Sequence, residues 1–462
     1  MVDLPDEIWL MTAEYLDGAN ERLPLLQVCR RWRSLFFQSA YHSIRLEHHN
    51  IIPFTQAAHL YPAIAQYIKR LILGWWDYDN RKDHEGPFDS SAVKDVLEEI
   101  AQSKEELEDW RKALQGGNDD AWLGILLTSL VNISEITGVF ARWNKYVGRV
   151  VCRTAMREKP FDTRPALQRL KSVRITETEL KDYYDASEFI PFFHLPSMRD
   201  FYAEAVNEIE DPHHEGTHPA MKAASGTSPI TSIQLDGYSN GRKGMARMIT
   251  SCTNLETFIY NHSDQERWGE SYLSFRPREF YKALCTQKHS LRKLRINDCG
   301  EYNDDYVESE DGIDDHPDNW FGSLAEFTKL EELRIRVANL LCFDTSSRGY
   351  KERLVDILPS GLRSLHLTNY REEQLNRLLP NLTELVAYRE ERFPNFAGID
   401  ISPEIIEICT PRPEGFAISA YYPGEYKIPA PVYTAFEPLE LLCAESGVTL
   451  TFSKNGNHLL RG

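Results

Sequence analysis

Two patterns of hydrophobic and polar positions divide this chain. Near the N-terminus, apolar residues recur every three or four positions, as at Ile8, Met11 and Tyr15, and again through 23–37. This spacing predicts two short helices, and Pro5 followed by acidic residues suits the first turn of the first one. Further along, short segments alternate apolar and polar positions, which is the pattern of a β-strand with one buried face.

The strand pattern repeats through most of the chain. Its clearest copies are "LRKLRI" at 291–296, "LEELRI" at 330–335, "LRSLHL" at 362–367 and "LTELVA" at 382–387, and weaker copies begin at 68, 133, 170, 198, 230 and 255. Each clear copy follows a segment with a helical pattern. Because one such helix–strand unit buries its apolar face only against its neighbours, the repetition predicts a stack of units. An ordinary α/β domain with a parallel sheet is the alternative.

Composition narrows the class of protein. The 462 residues are enough for several domains or one long array. The net charge of −18 argues against binding of a nucleic-acid backbone through a general positive field. The apolar stretch 121–134 is too short to span a bilayer, so it predicts a buried helix. The N-terminal residues lack the pattern of a secretory signal, and the eight cysteines are widely spaced, which predicts reduced thiols.

Candidate chemistry is sparse in this sequence. His213, His214 and His218 lie close together, but Pro212 and Gly216 predict a loop rather than a helix that presents metal ligands. The glycine-rich segment 237–244 lacks the residue order of a phosphate-binding loop. We therefore predict no catalytic, metal-binding or cofactor-binding residues.

The N-terminal block resembles an F-box. "LPDEIWLMTAEYL" followed by "LLQVCRRWRSLFF" matches the family pattern of Leu-Pro, an acidic residue with Ile, a closing Leu, and then Val-Cys, two basic residues and Trp. The match covers about 35 residues, a length that seldom folds without a partner or a staple. The resemblance implies docking to the Skp-type adaptor of cullin–RING ubiquitin ligases. The implied adaptor-binding residues are Leu4, Pro5, Ile8, Leu16, Leu23, Val28, Cys29 and Trp32.

From residue 64 the repeated pattern resembles the irregular leucine-rich repeats of fungal F-box proteins. The implied fold class is α/β, with a small N-terminal helical F-box followed by a leucine-rich-repeat-like solenoid with a curved parallel sheet. The expected domains are an F-box at 1–45, a linker or first helix at 46–63 and the repeat array at 64–462. Within the array, 298–319 carries ten acidic residues and no lysine or arginine, which predicts an inserted acidic loop.

The residues between the strand leucines are expected to form an open face that binds a target protein. This face is predicted to be acidic in the middle strands and more basic in the later ones. Arg295, Arg334 and Arg336 form a hypothetical site for an acidic or phosphorylated segment, with Tyr202 and Tyr388 as further candidates. The alternative is that these arginines pair with Glu332 and other acids or remain solvated.

Together the resemblances imply a substrate-recognition adaptor of a Skp–cullin–F-box ubiquitin ligase rather than an enzyme. The alternative is an F-box and leucine-rich-repeat scaffold or regulator that acts outside a ligase. The expected partners are a Skp-type adaptor, a cullin bound through it and an unknown substrate protein, without nucleic acid, membrane or cofactor. The expected location is the cytoplasm, the nucleus or both.

Overall fold

The computed structural model describes residues 5–16, 22–76, 87–140, 144–176, 183–208, 225–262, 275–298, 320–341, 353–370, 374–403, 407–408, 426–428, 430–454, 457–458 and 460–461. The chain forms two compact units. The first unit is Met1–Gly237 with Ser251–Thr253, and the second is Tyr238–Thr250 with Asn254–Gly462. The acidic stretch beyond Asp298 and the three clustered histidines lie outside the described residues.

Strands occur in both units. In chain order they are β1 (Ser43–Leu46), β2 (Arg70–Leu73), β3 (Glu135–Val139), β4 (Ser172–Thr176), β5 (Tyr184–Asp185), β6 (Asp200–Glu204), β7 (Val206–Asn207), β8 (Ser232–Ser239), β9 (Thr257–His262), β10 (Lys293–Asp298), β11 (Glu332–Arg336), β12 (Ser364–Tyr370), β13 (Gly398–Pro403), β14 (Glu407–Ile408), β15 (Tyr426–Ile428), β16 (Thr449–Lys454), β17 (Asn457–His458) and β18 (Leu460–Arg461).

Helices precede or connect most of these strands. They are α1 (Asp6–Glu14), α2 (Leu25–Val28), α3 (Arg30–Tyr41), α4 (Ile51–Leu60), α5 (Pro62–Tyr67), α6 (Lys94–Ile100), α7 (Lys104–Gln115), α8 (Asp119–Ser129), α9 (Tyr146–Met156), α10 (Ile190–Phe193), α11 (Ala246–Ser251), α12 (Pro277–Leu284), α13 (Val337–Leu340), α14 (Leu354–Ile357), α15 (Leu375–Ala387), α16 (Arg389–Arg392) and α17 (Ala430–Glu445). Short 3₁₀ helices cover Ser91–Val93, Ala186–Phe189 and Cys285–Gln287. Within the described part of the chain, none of these helices is long and apolar enough to cross a membrane.

Each unit contains a parallel sheet whose strands follow one another almost in chain order. In the first unit the order is β1-β2-β3-β4-β6-β8. In the second unit it is β9-β10-β11-β12-β13-β16, and β17 returns antiparallel to β16. Parallel neighbours require a crossover connection, so helices and loops recur between the strands. The structure confirms the predicted α/β fold of the leucine-rich-repeat type.

Alternation of burial along the strands explains why the repeated pattern folds in this way. In β10, Leu294 and Ile296 are fully buried, whereas Lys293 and Arg295 keep contact with solvent. The same alternation holds for Ile399 and Asp400 in β13. Successive side chains of a strand point to opposite faces. The leucines and isoleucines therefore pack in the core, and the residues between them form one outward face in each unit.

One predicted strand is wrong. Residues 382–387 form the end of helix α15, and its buried residues Leu378, Leu382 and Leu385 share one side of that helix. The segment "LTELVA" satisfies both periods, because Leu382 and Leu385 are three positions apart, as in a helix, and Leu385 and Ala387 are two apart, as in a strand. Leu375 and Leu378 precede the segment and continue the helical spacing. A helix therefore buries more leucines on one side than a strand over 382–387 would.

The strand that belongs to this part of the array is β13, where Gly398 and Pro403 stand at the two ends. Another strand missing from the prediction is β1, which pairs with β2 from Ser43 onward. Strand pairing therefore begins before residue 64. The domain limits at residues 45 and 63 remain predictions.

The N-terminal helices continue directly into the first unit. A cluster of Leu26, Phe36 and Ala40 forms their shared core. The ring centroids of Phe37 in α3 and Tyr67 in α5 are 5.8 Å apart. One residue after α3, the carbonyl of His42 accepts hydrogen bonds from two backbone amides at the start of β2. These contacts join α3 to the first strands within the same compact unit.

The buried helix predicted at 121–134 is confirmed as α8, Asp119–Ser129. Its most unusual residue is Asp120, which is 1% exposed. The Asp120 carboxylate accepts hydrogen bonds from the backbone amides of Tyr146, at 2.7 Å, and Val147, at 2.9 Å. Both amides belong to the first turn of α9, whose donors have no partner within that helix. Asp120 therefore joins α8 to α9.

Burial raises the pKa of Asp120 to about 6, against the lowering effect of the amide donors. The folded chain then binds this proton more tightly than the unfolded chain does. The carboxyl therefore stabilises the fold less as the pH rises from about 4 to about 6. Asp120→Asn should remove this dependence. We expect the stability of the variant relative to wild type to rise by up to about 3 kcal/mol across that window. Melting temperatures of both proteins at several pH values test this. Parallel profiles would contradict it.

Candidate functional site

The N-terminal helices are held together by aromatic and charged contacts. The rings of Trp9 in α1 and Trp32 in α3 lie 4.8 Å apart between centroids, and Trp32 packs edge-on against Phe36 at 5.4 Å. Arg31 donates to the carboxylate of Asp6 at 2.7 Å. Because the aromatic residues of both helices are used in these contacts, α1 and α3 pack as one small block.

A single cysteine sets the geometry between α2 and α3. Cys29 has extended backbone angles and follows the last residue of α2 directly. Its sulfur accepts a hydrogen bond from the Trp32 amide at 3.4 Å, so it caps the N-terminus of α3. The break at Cys29 leaves Val28 at the end of α2 with 60% of its surface exposed.

The block leaves a group of apolar side chains uncovered. Its exposed members are Ile8, Leu10, Met11, Tyr15 and Val28. Tyr15, at 86%, is the most exposed of them. Single exposed apolar residues are ordinary, whereas several within one small block make that block a candidate interaction site. We call these five residues the apolar docking surface.

The structure separates the predicted adaptor-binding residues into two groups. Pro5, Ile8, Val28 and Cys29 are exposed, whereas Leu16, Leu23 and Trp32 are partly buried. Leu4 lies outside the described residues. The partly buried group includes Trp32, which packs inside the block. Met11 and Tyr15 were not among the predicted binding residues, although their helical spacing, three residues from Ile8 to Met11 and four from Met11 to Tyr15, could have indicated them.

The outward residues of the second unit form two rows, because its parallel strands pair in register. The groove-lining residues of the short row are Glu332, Ser364, Gly398 and Thr449, and those of the long row are Arg295, Arg334, His366, Asp400 and Thr451. Both rows line a groove with a volume of about 290 Å³, which we call the strand-face groove. Two of the three arginines proposed from the sequence therefore share one site.

Ion pairs and hydrogen bonds organise the charges of this groove. Glu332 accepts from Lys293 at 2.8 Å and lies 3.6 Å from Arg295. The Lys293 ammonium lowers the pKa of Glu332. Asp400 accepts hydrogen bonds from Thr451 at 3.0 Å and from Ser453 at 2.5 Å. Both carboxylates are thus engaged mainly by neighbours on adjacent strands.

His366 lies between a carboxylate and a hydroxyl group. Its Nδ1 is 3.2 Å from Asp400, and its Nε2 is 2.9 Å from the Oγ of Ser402. Burial and the nearby Arg334 lower the pKa of His366 to about 4, so the ring is neutral at pH 7.

These partners are those of a Ser–His–Asp triad, but the serine is placed differently from a nucleophile. Ser402 is 7% exposed, and its hydroxyl donates to the backbone carbonyl of Ser453 at 2.5 Å. It does not line the strand-face groove. A catalytic serine must face its substrate. The arrangement therefore fastens β12, β13 and β16 to one another.

Three further predicted target-binding residues lie elsewhere. Arg336 is only 3% exposed, so it is buried in the folded chain, although its position in β11 has the same alternation as Arg334. Tyr388 follows the last residue of α15 rather than belonging to a strand, which corrects its predicted position. Tyr202 lies on the outward face of the first unit, where Arg174 stacks 3.7 Å from its ring and Glu204 accepts its hydroxyl at 2.5 Å.

Parallel strands in chain order, each backed by helices or loops, define a repeat protein of the leucine-rich type. A family model described as a leucine-rich repeat domain matches residues 50–403, and one described as F-box-like matches residues 1–47. The chain belongs to the leucine-rich repeat domain family and carries an F-box-like domain at its N-terminus. No curated protein matches it. This architecture is typical of non-catalytic adaptors, and F-box domains generally bind Skp-type adaptors.

Proposed function

We propose that this chain is a substrate-recognition adaptor of a Skp–cullin–F-box ubiquitin ligase. In this proposal the F-box-like domain docks a Skp-type adaptor, and the array binds a target protein. Catalysis belongs to partner subunits. The main support is the apolar docking surface, which lies within the matched F-box-like residues 1–47. Burying apolar surface in a contact contributes a favourable free energy of about 25 cal/mol per Å², before the costs of association are subtracted.

The proposed location is the cytoplasm, the nucleus or both. The cysteines that the structure describes as free include buried Cys152, Cys252 and Cys443. Burial raises the pKa of the Cys152 thiol to about 11, which keeps it protonated. Buried, protonated thiols suit a reducing compartment.

Co-purification tests the proposed function. The full chain is produced with a Skp-type adaptor and a cullin, and the complex is isolated by size-exclusion chromatography. We expect all three proteins in one peak. An adaptor complex that excludes the cullin would favour the alternative, a scaffold or regulator acting outside a ligase. Failure to retain the adaptor would overturn both proposed roles, the ligase adaptor and the scaffold outside a ligase, because both require the F-box-like domain to bind it.

A further inference from the structure

The amino-terminal edge of the sheet in the first unit carries residues that occupy equivalent positions in successive repeats. Each stands immediately before its strand, and its backbone carbonyl accepts hydrogen bonds from two amides at the start of the neighbouring strand. Neighbouring strands are about 4.8 Å apart, so this bonding holds the residues in one line. In strand order they are His42, Lys69, Ser134, Lys171 and Arg199, which we call the edge row.

Three members of the edge row are exposed cations that form no ion pair with the described residues. In the part of the chain that the structure describes, the ammonium groups of Lys69 and Lys171 also have no hydrogen bond. Arg199 donates to two uncharged acceptors, the carbonyls of Met198 at 2.6 Å and Pro229 at 3.4 Å. The positive charge of all three side chains is therefore available to an anion.

The charges that border the edge row are also mainly positive. Arg169 donates to a side-chain amide oxygen at 2.7 Å, which leaves its charge in place. Arg70 pairs with Glu135 at 3.0 Å, and these two charges cancel. Asp200 adds one carboxylate beside Arg199, which lowers its pKa against the raising effect of burial. The edge row therefore keeps an excess of positive charge in a chain whose net charge is −18.

The ring of His42 responds to this positive charge. Its pKa is lowered first by burial and then by the charges of Lys69, Arg70 and Arg22. An imidazolium at this end of the edge row would be repelled by all three cations, so His42 adds no charge of its own at neutral pH. The cations thus lie close enough together to act on one site.

The length of the edge row decides which kind of polyanion it can bind. Lys69 and Arg199 are three strand spacings apart, about 14 Å, which about five residues of an extended peptide cover. Charges beyond about 8 Å are largely screened at physiological ionic strength, so a short ligand responds to the local cations. A long nucleic-acid strand would run past the edge row and meet a chain with a net charge of −18.

We propose that the edge row binds a short acidic segment of a partner protein. The segment lies extended across the strand ends, and its carboxylates contact Lys69, Lys171 and Arg199. Alternate side chains of an extended peptide face the same side, about 7 Å apart, so acidic residues at alternate positions reach all three cations. The edge row shares no residue with the apolar docking surface or the strand-face groove. The inference therefore goes beyond the proposed function and does not depend on it.

Fluorescence anisotropy with the full chain tests this proposal. The probe is a labelled peptide with glutamate at alternate positions and serine between them. A matched peptide carries glutamine in place of each glutamate, and a single-stranded DNA of equal net charge represents nucleic acid. We expect only the glutamate peptide to bind at low ionic strength. Its binding should vanish at about 1 M salt, where charges are screened beyond about 3 Å.

Reversing two charges identifies the surface. Lys69→Glu combined with Lys171→Glu should weaken binding of the glutamate peptide at least about tenfold, because each change removes an attraction and adds a repulsion. Lys104→Glu combined with Lys112→Glu is the matched control. Both control lysines are exposed in α7 of the same unit and lie outside the edge row. The control changes the net charge equally and should bind like wild type, and both double variants should melt at the wild-type temperature.

The proposal fails if the wild-type chain ignores the glutamate peptide or binds the glutamine peptide equally well. Equal losses in the two double variants would also overturn it, because binding would then depend on net charge rather than on the edge row. Binding of the DNA as tightly as the glutamate peptide would overturn it as well and would assign the edge row to nucleic acid.

Discussion

Val28→Glu is expected to abolish binding of the Skp-type adaptor while the chain stays folded. Val28 is 60% exposed, so glutamate there is solvated in the free protein. If the adaptor covers this position, the carboxylate is buried in an apolar contact without a partner. Such burial costs several kcal/mol. Since 1.4 kcal/mol is about a tenfold change in affinity, the loss should exceed a hundredfold. Titration with purified adaptor measures it.

Leu441→Glu provides the control for this result. Leu441 is an exposed apolar residue in the second unit, at 68%, and lies outside the F-box-like match. The same change of charge there should leave adaptor affinity unaltered. Both variants should melt at the wild-type temperature. Unchanged binding by Val28→Glu would show that the apolar docking surface has another role.

Gly138→Ala should destabilise the first unit strongly. Gly138 lies in β3 with φ +133°, a conformation that residues with a Cβ rarely adopt. An added Cβ would lie 1.8 Å from the backbone carbonyl oxygen of Leu73 in β2. Backbone in a paired strand cannot yield as a flexible side chain can. We expect a loss of more than about 3 kcal/mol, from strain and broken pairing together.

Gly398→Ala separates this steric effect from the general effect of alanine in a strand. Gly398 begins β13, and its added Cβ would stay 3.7 Å from the nearest atom. Alanine there should be neutral or slightly stabilising, because it reduces the entropy of the unfolded chain. Thermal and urea unfolding of both variants give the comparison. Equal melting temperatures for the two variants would contradict the close approach of β2 and β3 at Gly138.

Sequence periodicity was reliable where a short apolar alternation stood alone. The strands of "LRKLRI" and "LEELRI" are confirmed as β10 and β11 because only a strand places Leu294 and Leu333 in the core beside outward charges. It failed at Leu382, where the spacing suits both a strand and a helix. The buried side of α15 begins at Leu375 and selects the helix. The fungal origin suggested by the repeat pattern remains a prediction.

The docking surface and the groove were only partly visible in the sequence. The resemblance to an F-box identified Ile8 and Val28, but the pairing of Trp9 with Trp32 decided which aromatic residues are used inside the block. Alternation placed Arg295 and Arg334 on one face, whereas their register also depended on pairing between β10 and β11.

By itself, the sequence determined the F-box-like start, the α/β repeat and the alternation of core and outward residues. These are local properties, set by the periods of helix and strand and by the side chains within each short segment. Only the tertiary structure decided that Arg336 is buried, that Gly398 and Arg334 line the same groove, and that Asp120 caps a separate helix. Such features arise where segments distant in the chain pack together, and no local pattern records their register.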